Sequence, residues 1–334
     1  MKKLILSASS IGAFKSCPVR FRNAYIHGIR PIEDKESQRV GTNWHLLLET
    51  ASLVPGSDCP CMSPTAGPAT ECSICEGTSK VPGDIMEAVT RVLNKAYEGI
   101  EFNDPEAKEV ERVTLLHALA GYRWHYGDTL EPVVATEQYF SLPLLNPQTG
   151  HPVPDVFIQG RIDKLIEILN GIAVKEHKST SKSIDPDSTY WGHLNLDVQT
   201  TMYIYAARRM QAQNSLLECN TTPNGPLINT VKYDVYHKPT IRPKKLTQGD
   251  SKKFVGDGSH LGVGEYCGQK FKIADSIDTD SDPGGLYVNG YPAVVEPGKK
   301  EGTFAIRETP DMFGARLLKD ITERPEFYFK CKEL

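Results

Sequence analysis

The sequence predicts an α/β fold: a mixed central sheet flanked by helices, built on one core and carrying insertions. Three observations carry this. Over residues 133–178 the apolar period shifts towards two, with β-branched residues and turn signals between the runs, the pattern of half-buried strands. On either side the period is helical: over 85–97 and 110–126 before the sheet, and over 194–213 after it, where Leu196, Met202, Ile204, Ala206, Ala207 and Met210 are the apolar positions. The 334 residues, 39% of them hydrophobic, suffice for one sizeable core with room for insertions.

Taken in order, residues 1–54 read as mostly helical, with 41–53 the clearest element. A Cys/Pro/Gly/Ser-rich segment follows over 55–83, then the two amphipathic helices and the sheet. A further strand is expected over 228–236. Residues 239–300 are rich in Gly, Asp, Ser and Lys and read as an irregular insertion without a core of its own. Thr309-Pro310 supplies an N-cap and a first helical position for a last helix that stops near Arg324-Pro325. With no internal repeat, the expectation is a single domain over 1–334.

Charge and cysteine usage narrow the function classes. A net charge of −4 and a pI near 6.2 argue against a protein that coats nucleic acid by bulk electrostatics. Local grips remain open at Lys244-Lys245, Lys252-Lys253 and Lys299-Lys300, although such a pair is more often simply a solvated loop. No apolar run approaches the roughly 20 residues needed to span a bilayer. Leu4-Ile5-Leu6 after Lys2-Lys3 imitates a signal peptide, but it is short and interrupted by Ser7 to Ser10, so a cytoplasmic protein is expected. Eight cysteines then point to metal ligands or buried thiols rather than to disulfides. Cys59-Pro-Cys61 and Cys72-Ser-Ile-Cys75 are two close pairs in a segment poor in apolar residues. They read as a structural tetrahedral Zn²⁺ site whose binding energy replaces a missing core, the alternative being four reduced thiols in a loop.

The richest stretch is 156–178. Asn170-Gly171 sits between two β-rich runs, the signal for a two-residue hairpin turn. That turn sets Leu169 opposite Ile172, Leu165 opposite Glu176 and Asp163 opposite Lys178, and it projects Asp163, Glu176 and Lys178 from one face. Two converging acids repel unless one takes a proton or both hold a cation. A divalent cation there suits phosphodiester hydrolysis, with Lys178 orienting water or stabilising charge. A surface hairpin laced by cross-strand salt bridges fits the same residues. His177 alternates to the other face.

Gly160-Arg-Ile-Asp163 followed by Glu176-His-Lys178 resembles the Asp…Glu-x-Lys core of the PD-(D/E)XK nucleases, most closely the RecB-like branch with its phage and CRISPR-adaptation exonucleases. Other elements stand in that branch's order. Ser7-Ala-Ser-Ser-Ile-Gly-Ala-Phe-Lys-Ser-Cys-Pro18, followed by Phe21 and Tyr25, resembles its N-terminal motif. Gly41-Thr-Asn-Trp-His45 resembles its Gly-x-x-x-His helix, and Gln199-Thr-Thr-Met-Tyr203 its Gln-x-x-x-Tyr helix. The match covers about residues 7–210, with Phe327-Tyr-Phe329 loosely similar.

The resemblance implies a PD-(D/E)XK nuclease core and hydrolysis of DNA phosphodiesters with Mg²⁺ or Mn²⁺, exonucleolytic and serving DNA recombination or repair. Asp163, Glu176 and His45 would be metal ligands, with the Lys175 or His177 carbonyl. Lys178 would be catalytic, and Gln199 and Tyr203 would orient DNA or the site. Gln199 and Tyr203 share a helix face by spacing, whereas His45, on a mainly apolar helix, would by itself read as a satisfied histidine. Glu137 stands where the branch often has an acid, although an exposed strand end reads as well. Some relatives hold a 4Fe-4S cluster; Cys17 is at the right place for one, but Cys219, Cys267 and Cys331 are isolated, which counts against it. DNA is the implied partner, together with a helicase, annealing or recombination protein. Two alternatives stand beside this reading: a non-catalytic DNA-binding subunit that keeps the fold, and a hydrolase of smaller phosphate esters.

Overall fold

The computed structural model describes residues 3–30, 36–62, 71–102, 104–127, 131–169, 171–216, 221–255, 262–274 and 285–333. The chain opens with β1 (Leu4–Leu6), α1 (Ala8–Ser16), α2 (Pro18–Phe21), a π-helical turn (Arg22–Ile26) and α3 (Glu36–Ala51). Next come α4 (Ile85–Ala96), α5 (Pro105–Tyr126), β2 (Val133–Leu145), β3 (Pro152–Ile168), β4 (Gly171–Thr180), a 3-10 turn (Trp191–Leu196), α6 (Val198–Ala212) and β5 (Val231–His237). It closes with α7 (Gln248–Val255), β6 (Gly262–Tyr266), β7 (Gln269–Ile273), β8 (Leu286–Val288), β9 (Tyr291–Ala293), β10 (Val295–Pro297), β11 (Phe304–Ile306), α8 (Pro310–Glu323), α9 (Pro325–Tyr328) and β12 (Phe329–Glu333). No helix among the described residues is long and apolar enough to cross a membrane.

Where the sequence led to one domain, the chain divides into two compact units, each assembled from separated segments. The first (residues 1–45, 128–237 and 329–334) holds a six-stranded mixed sheet. β3 is its spine. β2 runs antiparallel along one edge, while the other edge takes β1 in parallel at Val156–Ile158 and β4 antiparallel at Lys164–Ile168. β4 then continues parallel to β5, which pairs with β12.

The hairpin register departs from the expected one. Ile168 pairs with Gly171, Leu165 with Val174 and Lys164 with Lys175, so every partner is displaced by two residues from the turn expected at Asn170-Gly171. Asn170 itself lies outside the described residues. The displacement sets fully buried Leu165 against fully buried Val174, where the expected register would have set an apolar side chain against Glu176. Because side chains alternate with period two, a two-residue slip keeps every residue on its face. Asp163, Glu176 and Lys178 therefore still project together, although Asp163 and Lys178 are not partners.

Leu165 and Val174 join Ile162 in a core cluster with Met202, Tyr203, Ala206 and Ala207 of α6. α6 starts later than the sequence suggested. The 3-10 turn precedes it, and Asp197 becomes the N-cap, accepting from the Gln199 N–H at 2.9 Å.

The second unit (residues 46–127 and 238–328) contains α4, α5 and α8. At Gly121 a Cβ would lie 2.4 Å from Ile321 Cγ2, so the α5–α8 crossing depends on the absent side chain. α8 begins at Pro310 with Thr309 as N-cap, as its sequence signature indicates. The expectation of an irregular insertion over 239–300 is corrected. Its described residues form α7 and a four-stranded antiparallel sheet, β6 to β9, and they bury Phe254, Tyr266, Phe271, Ile273, Leu286 and Val288 with Met312 of α8. Buried Glu308 ties the segment to α8. It accepts from Arg316 Nε at 2.6 Å, Arg316 Nη2 at 2.9 Å, Tyr266 OH at 2.6 Å and the Lys244 N–H at 2.9 Å, so none of its charge is left unpaired.

Candidate active site

The site forms where β3 and β4 part. Their ladder ends at Lys164–Lys175, and Asp163 and Glu176 are the next residue on each strand. The His177 N–H, the donor freed by that parting, reaches the Asp163 Oδ2 at 3.0 Å. His45 of α3 places Nδ1 3.3 Å from the same oxygen. Glu137 of β2 joins them: one donor atom each from His45, Glu137 and Asp163 lie within 4.8 Å of one another. Glu137 holds φ at +47°, a left-handed value rare for a strand glutamate, so the backbone is strained to bring this residue here.

Glu176 has no solvent exposure. Its Oε1 accepts from Lys178 Nζ at 2.6 Å, while Oε2, equally buried, has no hydrogen-bond partner among the described residues. Burial first, and then the Asp163 charge, push its carboxyl up to about 8; burial likewise pushes Asp163 up to about 6. Lys178 Nζ also donates to Gln199 Oε1 at 2.8 Å and lies 3.5 Å from Asp197 Oδ2. Burial opposes its charge, but Glu176, Asp197 and Asp163 outweigh this and hold the ammonium above its ordinary range. Gln199 Nε2 in turn donates to Tyr203 OH at 2.9 Å. Having accepted that bond, the phenol keeps its own proton free to donate. Burial raises the Tyr203 pKa, so the proton is held.

His177, as its alternation predicts, projects from the other face of β4 than Glu176, where its ring meets that of His45 edge-on at 6.2 Å. Its ring lies 3.3 Å from Asp234, and burial lowers its pKa to about 3. Burial also lowers His45, which stays neutral, the form in which an imidazole binds metal.

The structure thus gathers His45, Asp163, Glu176, Lys178, Gln199 and Tyr203 at one place. It brings in Glu137, which the resemblance offered as an acid and whose convergence depends on an unusual backbone angle, and it adds Asp197, whose signal was an N-cap residue just ahead of Gln199.

The family model of the PD-(D/E)XK nuclease superfamily matches residues 5–252. The chain belongs to this superfamily. No curated protein matches the chain. Members of the PD-(D/E)XK nuclease superfamily are usually metal-dependent nucleases, and the residues at the fork fit such an ion. His45, Glu137 and Asp163 are imidazole and oxygen donors, the set that hard cations such as Mg²⁺ and Mn²⁺ accept, and beside them stands the buried Glu176 Oε2, which has no hydrogen-bond partner among the described residues.

The four cysteines form a separate cluster in the second unit. Cys59 Sγ is 3.7 Å from Cys72 Sγ, and Cys61 Sγ is 3.5 Å from Cys75 Sγ; all four sulfurs lie within 4.8 Å of one another. A tetrahedral ion with Zn–S bonds of about 2.3 Å requires sulfurs about 3.8 Å apart, so the cage has the right size. Burial opposes ionisation of Cys75, but Cys61 and the Gly77 and Ser79 amides bring it down to about 7. Arg91 steadies the intervening loop by donating to the carbonyls of Ser73 and Ile74. Of the other cysteines, Cys17 is exposed between α1 and α2, Cys331 is exposed on β12, Cys267 is half-buried in the second unit, and Cys219 lies outside the described residues. Of the basic pairs, Lys245 is salt-bridged to Glu296 and Lys253 lies 3.5 Å from Asp250.

Proposed function

We propose that this protein is a RecB-like, divalent-metal-dependent deoxyribonuclease that degrades DNA from an end. The observation that carries the reading is the Glu176 carboxylate: fully buried beside Asp163, with one oxygen on Lys178 and the other unpartnered. Leaving a buried carboxyl oxygen unpaired costs about 1–3 kcal/mol, and a cation between the two acids removes that cost. A surface hairpin has no reason to bury it.

Asp163, Glu176 and His45 would hold Mg²⁺ or Mn²⁺, and Glu137 is placed to add a ligand or to hold a metal-bound water. When bound, the ion polarises a phosphoryl oxygen and makes a water acidic enough to attack near neutral pH. Lys178, kept charged and oriented by Glu176 and Gln199, stabilises the negative charge that develops on the phosphate or positions the attacking water. Gln199 fixes both Lys178 and Tyr203, and the free Tyr203 proton is available to a phosphate oxygen. Four thiolates at Cys59, Cys61, Cys72 and Cys75 would bind one structural Zn²⁺, in keeping with a reducing cytoplasm. A role in DNA recombination or repair, alongside a helicase, annealing or recombination protein, is the setting the RecB likeness supports.

The test is to incubate labelled linear and circular, single- and double-stranded DNA with the protein and Mg²⁺ or Mn²⁺. Metal-dependent loss of linear DNA with sparing of circles is expected. Cleavage of circles would remove the exonuclease assignment, and no cleavage of any substrate would favour a non-catalytic DNA-binding subunit.

A further inference from the structure

The first 30 residues carry six lysines and arginines and no aspartate or glutamate, in a chain whose net charge is −4. They belong to the first unit, with the active site. α1 is fastened at its start by a capping box, with the Ser7 N–H donating to Ser10 Oγ at 2.8 Å and the Ser10 N–H to Ser7 Oγ at 3.2 Å. Its inner face sends Ala8 and Ile11 against the core cluster that contains Tyr203. Its outer face does the reverse of what burial favours: Phe14 is 54% exposed.

Phe14 is backed by a built arrangement. Its ring meets Phe21 edge-on at 5.6 Å, Phe21 stacks on Tyr25 at 5.7 Å with 22° between planes, and the Arg30 guanidinium covers Tyr25 at 5.0 Å. Val19, Ile26 and Ile29 are exposed beside it, and so are Lys15, Arg20, Arg22 and Arg30. Apolar side chains clustered in the open on one short segment mark a surface that a partner covers. The uniform positive charge makes that partner an anion. An exposed aromatic ring among arginines suits the flat face of an unpaired base, because bases in a duplex are stacked on one another and unavailable to it.

We infer that this helical arm, residues 8–30, is a platform for single-stranded DNA: Phe14 stacks a base, and Lys15, Arg20 and Arg22 carry the adjoining phosphates. Since α1 packs on the cluster that includes Tyr203, a strand held there is delivered towards the helix bearing Gln199 and Tyr203. The choice of DNA as the anion rests on the nuclease reading; the arm's geometry does not.

The test is fluorescence anisotropy of labelled oligothymidylate with the full-length protein in EDTA, which stops cleavage and keeps binding separate from activity. Phe14→Ala should weaken binding about 5- to 150-fold, the range for losing one stacked base. Phe14→Trp should retain it. Arg20→Ala with Arg22→Ala should lower the slope of log affinity against log salt by about 1.4. Trp124→Ala, which removes an exposed aromatic of the other unit, should leave binding unchanged. All four residues are exposed, and a thermal melt of each variant confirms that it folds as wild type does. Wild-type affinity in the Phe14 and arginine variants overturns the inference, as does an equal loss in Trp124→Ala or no binding by the wild type. A protein that cleaves no DNA yet loses oligonucleotide binding with Phe14→Ala would retire the nuclease reading and leave the platform standing.

Discussion

Replacing Gly160 with alanine should cripple the site from a distance of one side chain. A Cβ at this position would lie 2.7 Å from Phe140 Cζ and 3.0 Å from its Cε1, with Tyr203 Cε1 next at 3.5 Å. To regain an ordinary contact near 3.4 Å the Phe140 ring must retreat by roughly 0.7 Å. It has little room, being 2% exposed and set edge-on to Tyr203 at 6.1 Å. Overpacking of this kind costs about 1–3 kcal/mol. For a unit of this size that is a fall of about 2–10 °C in Tm. The displacement passes to Tyr203 and so to Gln199, which orients Lys178. Misplacing a catalytic group by about 1 Å can lower the rate about a hundredfold. Thermal melts, Mn²⁺ titration calorimetry and single-turnover DNA cleavage, run on one preparation, read all three quantities. We expect a lower Tm, a cleavage rate down by about tenfold or more, and unchanged Mn²⁺ affinity. A variant with wild-type Tm and rate would refute the packing argument, and one that lost metal binding in proportion to rate would refute the route through Tyr203.

Two further outcomes follow from the second unit. Purified protein should carry about one zinc per chain by elemental analysis. Cys75→Ser should lose it and melt at lower temperature, whereas iron with visible absorbance in place of zinc would contradict the tetrathiolate assignment. Burial lowers the pKa of His117, whose Nδ1 lies 2.9 Å from the Val113 carbonyl and which a Cβ on Gly314 would meet at 2.5 Å. The folded state thus keeps this imidazole neutral while the unfolded chain protonates it near 6.5. Stability from this source is present above pH 6.5 and is lost as the pH falls below it. Urea unfolding from pH 7.5 to 5 should therefore show falling stability that His117→Asn makes shallower, and an identical slope in the variant would remove His117 as the cause.

Much of the site was legible in the sequence because it depends on periodicity. Strand alternation places Asp163, Glu176 and Lys178 on one face whether the partners follow a turn at Asn170-Gly171 or are displaced by two residues from it, and helical spacing aligns Gln199 with Tyr203. The register was not legible, because the turn dipeptide and the pairing of Leu165 with Val174 compete, and buried apolar contact outweighs turn preference. Glu137 was visible as a site residue only through the family resemblance, its own residues reading as an exposed strand end; its arrival at the site depends on a left-handed backbone angle with no sequence signature. The sheet within 239–300 was missed for a different reason. Its strands are three to five residues long, and the alternations that define them, Phe271 with Ile273 and Leu286 with Val288, are too brief to stand out among Gly, Asp and Ser.

The central claim is that Asp163, Glu176 and His45 hold a divalent ion beside a charged Lys178 and that this assembly cleaves DNA. The most direct measurement pairs Mn²⁺ titration calorimetry with single-turnover cleavage of end-labelled linear DNA for wild type, Asp163→Asn and Lys178→Ala. The account predicts that Asp163→Asn loses both Mn²⁺ binding and cleavage, whereas Lys178→Ala still binds Mn²⁺ but cleaves about 100- to 1000-fold more slowly. Wild-type cleavage by Lys178→Ala, or undiminished Mn²⁺ binding by Asp163→Asn, would contradict it.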